Sequence, residues 1–403
     1  MKALAQPKGR TPVLVVGAGP VGLIAAIRLR EQGVDVRIVD EQREADKRTY
    51  PVLLHARSLG TLAALGVRAP LEWRGRFVNR LAVHADGELQ AELQLPSAGP
   101  IAPGALTLPQ DVLRQALVHR LATLGVDIEW QTGLVRLEQD AHRVSVDLVR
   151  REHAESSRST HGSEWLEVAT QTLDVDFVIG ADGRRSAVRQ ALHIEMVPHG
   201  RRALYAFFDA PDARAGAEAH LVLSEGYGSS VYPLQGDWSR FSFQLGAAGT
   251  QAPGLEQLRQ LVERRMPWYA QHIDDFAWSG SAEFHPALAA RFGENRAWLA
   301  GDAAHVTGPL GGQSINVGMH EADDLARRIS QALQGSGPTS FGPYYSEQRR
   351  VEWTRLFGLS PSHPDTRKAP DWVRRHVGSL LPSLPAAGDD LDDLLEQLKV
   401  TTA

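Results

Sequence analysis

The 403-residue chain contains no cysteine. That absence excludes disulfides, thiolate zinc sites, iron–sulfur clusters and flavin–disulfide reductase chemistry together. An excess of positive charge is also lacking: 43 Lys plus Arg stand against 48 Asp plus Glu, a net charge of −5. Bulk electrostatics therefore draw the chain neither to nucleic acid nor to an anionic membrane surface. No apolar run is long enough to span a bilayer; the longest, around Val21 to Ile27, sits inside a helix-forming unit. The basic first ten residues lead into no signal-type apolar region. These lacks predict a cytoplasmic protein with no nucleic-acid partner and no membrane span, long enough for two or three domains.

What is present begins with Val13-Leu14-Val15-Val16, Gly17-Ala18-Gly19-Pro20-Val21-Gly22, a helical pattern through Leu29, then Val36-Arg37-Ile38-Val39 closed by Asp40. The order is strand, glycine turn, helix, strand, acid. Gly17 permits the tight turn, Gly19 lets backbone approach a pyrophosphate, and Gly22 lets helix pack on strand. Pro20 opens a helix whose free N–H groups favour phosphate. Asp40 is placed to accept hydrogen bonds from a ribose diol. The unit predicts a dinucleotide with an adenosine half.

Further along, Ser58 to Leu65 suits a short helix stopped by Gly66. Phe77 to Leu95 alternates with period two, and the proline- and glycine-rich stretch from Pro96 to Pro109 leads to a helix over Asp111 to Leu124. Strands are predicted at Val126–Trp130, Gly133–Gln139, Arg143–Val149 and Leu166–Leu173, with a hydrophilic tip from Arg150 to Ser163. His153 and His161 in that tip lack metal-ligand spacing, and no metal site is expected. A second alternating region covers Arg202–Phe208, His220–Leu223, Ser230–Leu234 and Arg240–Leu245, with a helix over Gly254–Arg265. Together with Phe77–Leu95 it predicts one antiparallel sheet carrying a helix. A long helix to about Leu333, another over Tyr344–Leu356, and an amphipathic one over Asp389–Val400 complete the chain, the last packing Leu391, Leu394, Leu395 and Leu398 on the body.

Two more motifs share the chain with the glycine fingerprint. A buried strand, Phe177-Val178-Ile179-Gly180, runs into Ala181-Asp182-Gly183 with Arg189 nearby; and Gly301-Asp302-Ala303-Ala304-His305 continues to Pro309-Leu310-Gly311-Gly312-Gln313-Ser314-Ile315-Asn316. In this order the three motifs resemble the single-component flavoprotein hydroxylases, the p-hydroxybenzoate hydroxylase-like aromatic-ring monooxygenases, over roughly residues 11 to 356. The resemblance implies an α/β fold: a Rossmann-type FAD-binding domain (1–76, 109–190, 290–340), an inserted antiparallel-sheet substrate domain (77–108, 191–289) and a helical tail (341–403).

It also implies roles. Asp40 would bind the FAD ribose, Arg57 the phosphates, and Gln110 and Asp302 the ribityl chain. Pro309 would lie beside the isoalloxazine, the backbone at Gly312 and Gln313 would donate to its pyrimidine end, and Gly311 and Asn316 would also bind the cofactor. Asp182, Gly183 and Arg189 would form a motif shared by FAD and NAD(P)H. Independently, a helix starting after Gly312 would point its positive end at the anionic edge of reduced flavin. NADPH or NADH would reduce FAD, and dioxygen would give a flavin C4a-hydroperoxide that hydroxylates an aromatic or polycyclic substrate. No catalytic residue is assigned. His305, Tyr232 and His220 are candidates, with Tyr227 and His84 as further base or anchor positions between flavin and sheet.

Family members commonly carry a third glycine where this chain has Ser314, and Asp-Ala where it has Glu321-Ala322. The stretch after Leu356 is too short for the thioredoxin-like domain of some relatives. Other readings stay open: a reductase of double bonds, an idle FAD-binding partner that shields an intermediate, or a flavin-dependent halogenase. The last should carry a Trp-x-Trp-x-Ile-Pro stretch and a catalytic lysine, whereas lysine occurs only at 2, 8, 47, 368 and 399. The resemblance leaves monomer and homodimer equally open.

Overall fold

A computed structural model describes residues 11–43, 51–97, 99, 104–154, 164–200, 202–212, 214, 216–246, 254–269, 276–337, 340–359 and 365–401. Its central sheet has six strands in the order Gly293–Glu294, Ala297–Leu299, Phe177–Gly180, Val13–Val16, Val36–Val39 and Ile128–Glu129. All neighbours are parallel except the first pair. Val13, Leu14 and Val15 are fully buried and Val16 nearly so, as expected of a parallel strand covered on both faces. Helix Pro20–Glu31 packs on this sheet and against helices Gln110–Thr123 and Gln313–Leu333.

A seven-stranded sheet lies beside it, ordered Trp278–Phe284, Ala203–Pro211, Trp238–Leu245, Tyr227–Pro233, Glu218–Ser224, Arg80–Ala85 and Glu88–Gln94. The pairing of Glu218–Ser224 with Arg80–Ala85 is parallel, not antiparallel as the alternation alone suggested, because this seam joins pieces distant in sequence. Helix Leu255–Arg265 covers one face, packing Leu258, Val262 and Met266 on Ala206, Phe208, Phe241 and Phe243.

The alternating run Phe77–Leu95 proves to be three strands. Arg76–Val78 leaves for a small antiparallel sheet with Pro51–Leu54 and Ala105–Pro109, strands unexpected from sequence. Thr107 anchors that sheet to the larger one: its hydroxyl donates to the Pro233 carbonyl at 2.5 Å and lies 3.2 Å from that of Arg76. The hairpin strands extend through Val144–Ala154 and Glu164–Val175, so residues 150–154 of the expected tip are paired sheet, while 155–163 lie outside the described residues. His161 lies outside the described residues. At the C-terminal end, helix Asp371–Leu380 and the turn Leu381–Ser383 precede helix Asp389–Gln397, whose Leu391, Leu394 and Leu395 are buried together with Leu398. Among the described residues no helix is long and apolar enough to cross a membrane.

Candidate cofactor site

The fingerprint glycines divide by what surrounds them. Gly17 holds φ +104°, and a Cβ there would stand 2.2 Å from the Ala181 carbonyl oxygen; one on Gly22 would stand 1.9 Å from that of Gly17. Both are needed for chain crossing. Around Gly19 and Gly183 a Cβ would meet nothing within 4 Å. These two open onto a cavity of about 360 Å³, lined also by Gly17, Pro20, Asp40, Gln110 and Asp182. Seven of the residues singled out in the sequence thus converge on one pocket.

Its electrostatics suit an anionic, hydroxyl-bearing ligand. Helix Pro20–Glu31 begins at Gly19 without a side-chain cap, so its first-turn N–H groups remain available. Arg114 and Arg185, which sequence reasoning missed, also line the cavity; helical spacing from Gln110 could have found Arg114. Asp40 accepts from the N–H of Ala18 and of Gln42 at 2.7 and 2.8 Å, which holds its carboxylate at the rim. Asp182 Oδ2 accepts from the N–H of Ala187 and Val188 at 2.7 and 3.2 Å, whereas its buried Oδ1 has no partner. Burial pushes this carboxyl's pKa up, against bonds from Ser186, Val188 and Ala187. An unpaired acceptor beside two open glycines fits a ligand hydroxyl, since an orphaned buried oxygen is costly.

The second group of residues lies beyond the helix start. Gly301 backs onto Val21, where a Cβ would approach its Cγ2 to 2.9 Å. Asp302 is exposed and accepts from the Ser314 hydroxyl at 2.6 Å. Gly312 adopts the left-handed conformation (φ +62°, ψ 18°) and opens the 21-residue helix Gln313–Leu333, again without a side-chain cap. This helix start likewise presents a positive end. Pro309 is half-buried beside Leu310, which packs on Tyr205 and Phe207 of the seven-stranded sheet.

Other residues of the three motifs have neighbours within the protein. Arg57 is exposed outside the pocket; its guanidinium stands where a Cβ on Gly388 would come within 2.9 Å, and it lowers the Asp390 carboxyl against the upward effect of burial. Arg189 is buried and donates to the carbonyls of Ala303 and Arg184 at 2.8 and 3.0 Å, so it ties two motifs together rather than facing the cavity. The Gln313 amide donates to the Leu381 and Leu384 carbonyls at 3.1 and 3.2 Å, and Gly311 is pressed against Leu384 and Pro382. The Asn316 amide is used within the protein, on His55, Leu53 and Gly312.

The proposed base positions also separate. Side chains along a strand alternate between faces, and His84, His220 and Tyr227 fall on the face carrying helix Leu255–Arg265. There His84 stacks on Trp268 at 3.9 Å, His220 meets Tyr269, and Arg265 lies over Tyr227. They lie opposite the face of Tyr205 and Phe207, on which Leu310 packs. Burial, with the neighbouring His220, lowers the His84 pKa to about 4. Tyr232 is on the other face, donating its hydroxyl to the Leu310 carbonyl at 2.9 Å, and burial raises its pKa. His305 is fully buried, with Nε2 2.8 Å from Glu321 Oε2 and its ring stacked on Trp353 at 3.8 Å. Two histidines escaped sequence reasoning. His55 Nε2 bonds the Gly311 carbonyl at 2.8 Å, and His320 sits between the Ser58 and Thr61 hydroxyls at 3.3 Å each. Desolvation lowers their pKa values to about 4 and about 3, so both are neutral at pH 7.

A largely parallel sheet with two uncapped helix starts and open glycines beside acidic side chains is the architecture of a dinucleotide-binding fold. The FAD binding domain family matches residues 10–357, and the chain belongs to that family, among the p-hydroxybenzoate hydroxylase-like flavoproteins. FAD is the cofactor of this domain. Pentachlorophenol 4-monooxygenase of Sphingobium chlorophenolicum is 29% identical over 87% of this chain and 64% of its own length. For 6-methylpretetramide 4-monooxygenase of Streptomyces rimosus the values are 27%, 84% and 58%. The chain thus spans about three fifths of the length of these two relatives. The structure of p-nitrophenol 4-monooxygenase from Pseudomonas putida shares the fold at a TM-score of 0.71 and 21% identity, with 98% of this chain and 99% of that one covered.

Proposed function

We propose that the chain is an FAD-dependent monooxygenase that consumes NADPH or NADH and dioxygen to hydroxylate an aromatic or polycyclic small molecule. The observation that carries this reading is the convergence of Gly19, Asp40, Gln110, Asp182 and Gly183 on one cavity, in a chain whose relatives include named aromatic-ring monooxygenases. In this reading residues 1–76, 109–190 and 290–340 hold FAD, residues 77–108 and 191–289 cover the substrate, and residues 341–403 form a helical tail.

FAD supplies the redox and oxygen chemistry when bound. The chain's residues bind and orient. Asp40 and Asp182 accept from cofactor hydroxyls, the N–H groups after Gly19 meet phosphate, Gln110 and Asp302 hold the ribityl chain, and the helix after Gly312 favours negative charge on the reduced ring. Pro309 and Leu310 would flank the flavin ring, and Leu310 packs on an apolar face of Tyr205, Phe207 and Phe284, against which an aromatic substrate would stack away from water. Burial pushes the Tyr205 pKa up to about 12, so this phenol stays protonated and acts by packing, not as a base.

The test is a panel of phenols, nitrophenols and polycyclic aromatics offered to the FAD-loaded protein with NADPH or NADH under labelled dioxygen. One labelled oxygen atom in the product, with one reductant consumed, is the expected result. Reductant oxidised into a substrate that gains hydrogen and no oxygen would replace this reading with a reductase. An FAD-loaded protein whose reductant consumption no panel member stimulates would favour an idle FAD-binding partner.

A further inference from the structure

The two departures from the family pattern, Ser314 and Glu321, meet on one histidine. Ser314 Oγ is 2.6 Å from Asp302 Oδ1 and 3.3 Å from His305 Nδ1; His305 Nε2 is 2.8 Å from Glu321 Oε2. Glu321 is fully buried and accepts from the N–H of Gly301 and from Trp353 Nε1, each at 2.8 Å. The chain of bonds runs from exposed Asp302 to a charge in the core.

The protons in this chain can be placed by counting donors. A carboxylate only accepts, and a hydroxyl has one hydrogen to give. The short Ser314–Asp302 contact is the charge-assisted one, so the Ser314 hydrogen lies on it. The Ser314 oxygen can then only accept from His305 Nδ1, while Nε2 must donate to Glu321. Both ring nitrogens therefore carry protons. A histidinium stacked on the Trp353 ring gains from the π face, and it holds the Glu321 carboxyl in its charged form against desolvation. The other charged or titratable groups around the pair come from helix Gly342–Leu356. Arg349 and Tyr345 act on Glu321, and Glu352 feels His305 while pairing with Arg349 at 3.0 Å.

We propose that Ser314 is a positioning residue, which carries a hydrogen-bond chain from the buried His305–Glu321 ion pair to Asp302 and so fixes the carboxylate that holds the ribityl chain of FAD. A glycine at 314 could not make this link. The proposal rests on Asp302 as a cofactor contact, as in the function proposed above.

Two measurements on the full-length protein test it. In the cofactor-free chain, nitrogen-15 spectra of the His305 ring, assigned by its loss in His305→Gln, should show both nitrogens protonated at pH 7. Ser314→Ala and Ser314→Gly should move the Nδ1 signal to that of a ring nitrogen without a hydrogen-bond partner, and Ser314→Thr should restore it. A parent ring without a proton on Nδ1, or an Nδ1 signal unmoved by Ser314→Ala, overturns the relay. In FAD titrations followed by flavin fluorescence, Ser314→Ala and His305→Gln should each weaken binding about tenfold, and the double variant should lose no more than the worse single. Losses that multiply overturn it too. A parent chain that binds no FAD would sink the proposed function, while the ring spectra would still decide the relay.

Discussion

Asn316 and His55, 261 residues apart in sequence, are joined by one bond: Asn316 Oδ1 accepts the His55 backbone N–H at 2.8 Å. Its Nδ2 donates to the Leu53 and Gly312 carbonyls at 2.6 and 2.7 Å, and His55 returns a ring bond to Gly311. The small sheet's first strand is thereby stapled to the glycine loop. Asn316→Ala would strand a buried N–H and two carbonyls, at about 3 kcal/mol of stability. Urea denaturation measures this; a loss below about 1 kcal/mol would show that water replaces the staple.

Gly19 and Gly22 should fail in opposite ways. Gly22→Ala drives a methyl into the Gly17 carbonyl, so the cofactor-free protein should lose about 3 kcal/mol or not fold. Gly19→Ala has φ −70° and open space. It should leave cofactor-free stability within about 0.5 kcal/mol and weaken FAD binding at least about tenfold. Thermal melts beside FAD titrations separate the two; a Gly19→Ala protein that binds FAD normally would place the pyrophosphate elsewhere.

The acid limb of stability should report on His55. Its folded pKa, about 4, lies below the ordinary 6.5. The unfolded state therefore takes up the proton first as pH falls. The stability of the neutral ring is fully present above pH 6.5 and is lost progressively down to about pH 4. The loss amounts to about 3 kcal/mol at most. His55→Gln should be less stable at pH 7.5 yet flatter between pH 6.5 and 4. Equal slopes in the two proteins would show that His55 titrates normally when folded.

Tyr232 should prove a strut and not a base. Tyr232→Phe leaves the buried Leu310 carbonyl unpaired, costing about 1–2 kcal/mol. Its phenol is held protonated by burial, so the pH profile of turnover should be unchanged. A lost basic limb would reassign it to proton transfer.

The glycine fingerprint, Asp182-Gly183 and Gly301-Asp302 were legible because each is a local event: a strand, a turn with one forced conformation, a helix start. Burial of the apolar face Leu391, Leu394, Leu395 and Leu398 followed from helical spacing in the same way. Where long side chains reach was not legible in the same way. Arg57 and Arg189 carry charge in the right motifs, yet their guanidinium groups turn to Gly388 and Ala303. A flexible side chain reaches whatever acceptor packing brings near it, and sequence distance does not encode that.

By itself, then, the sequence determined the nucleotide unit, its helix-start electrostatics and the family, since local sterics leave glycine turns few alternatives. Only tertiary structure decided which face His84 and His220 occupy, because a register shift of one residue reverses every side chain in a strand. The same holds for the pairing of Pro51–Leu54 with Ala105–Pro109, and for the meeting of Ser314, His305, Glu321 and Trp353. Those contacts exist only once separate elements share a core, where unpaired polar groups are costly enough to select one arrangement.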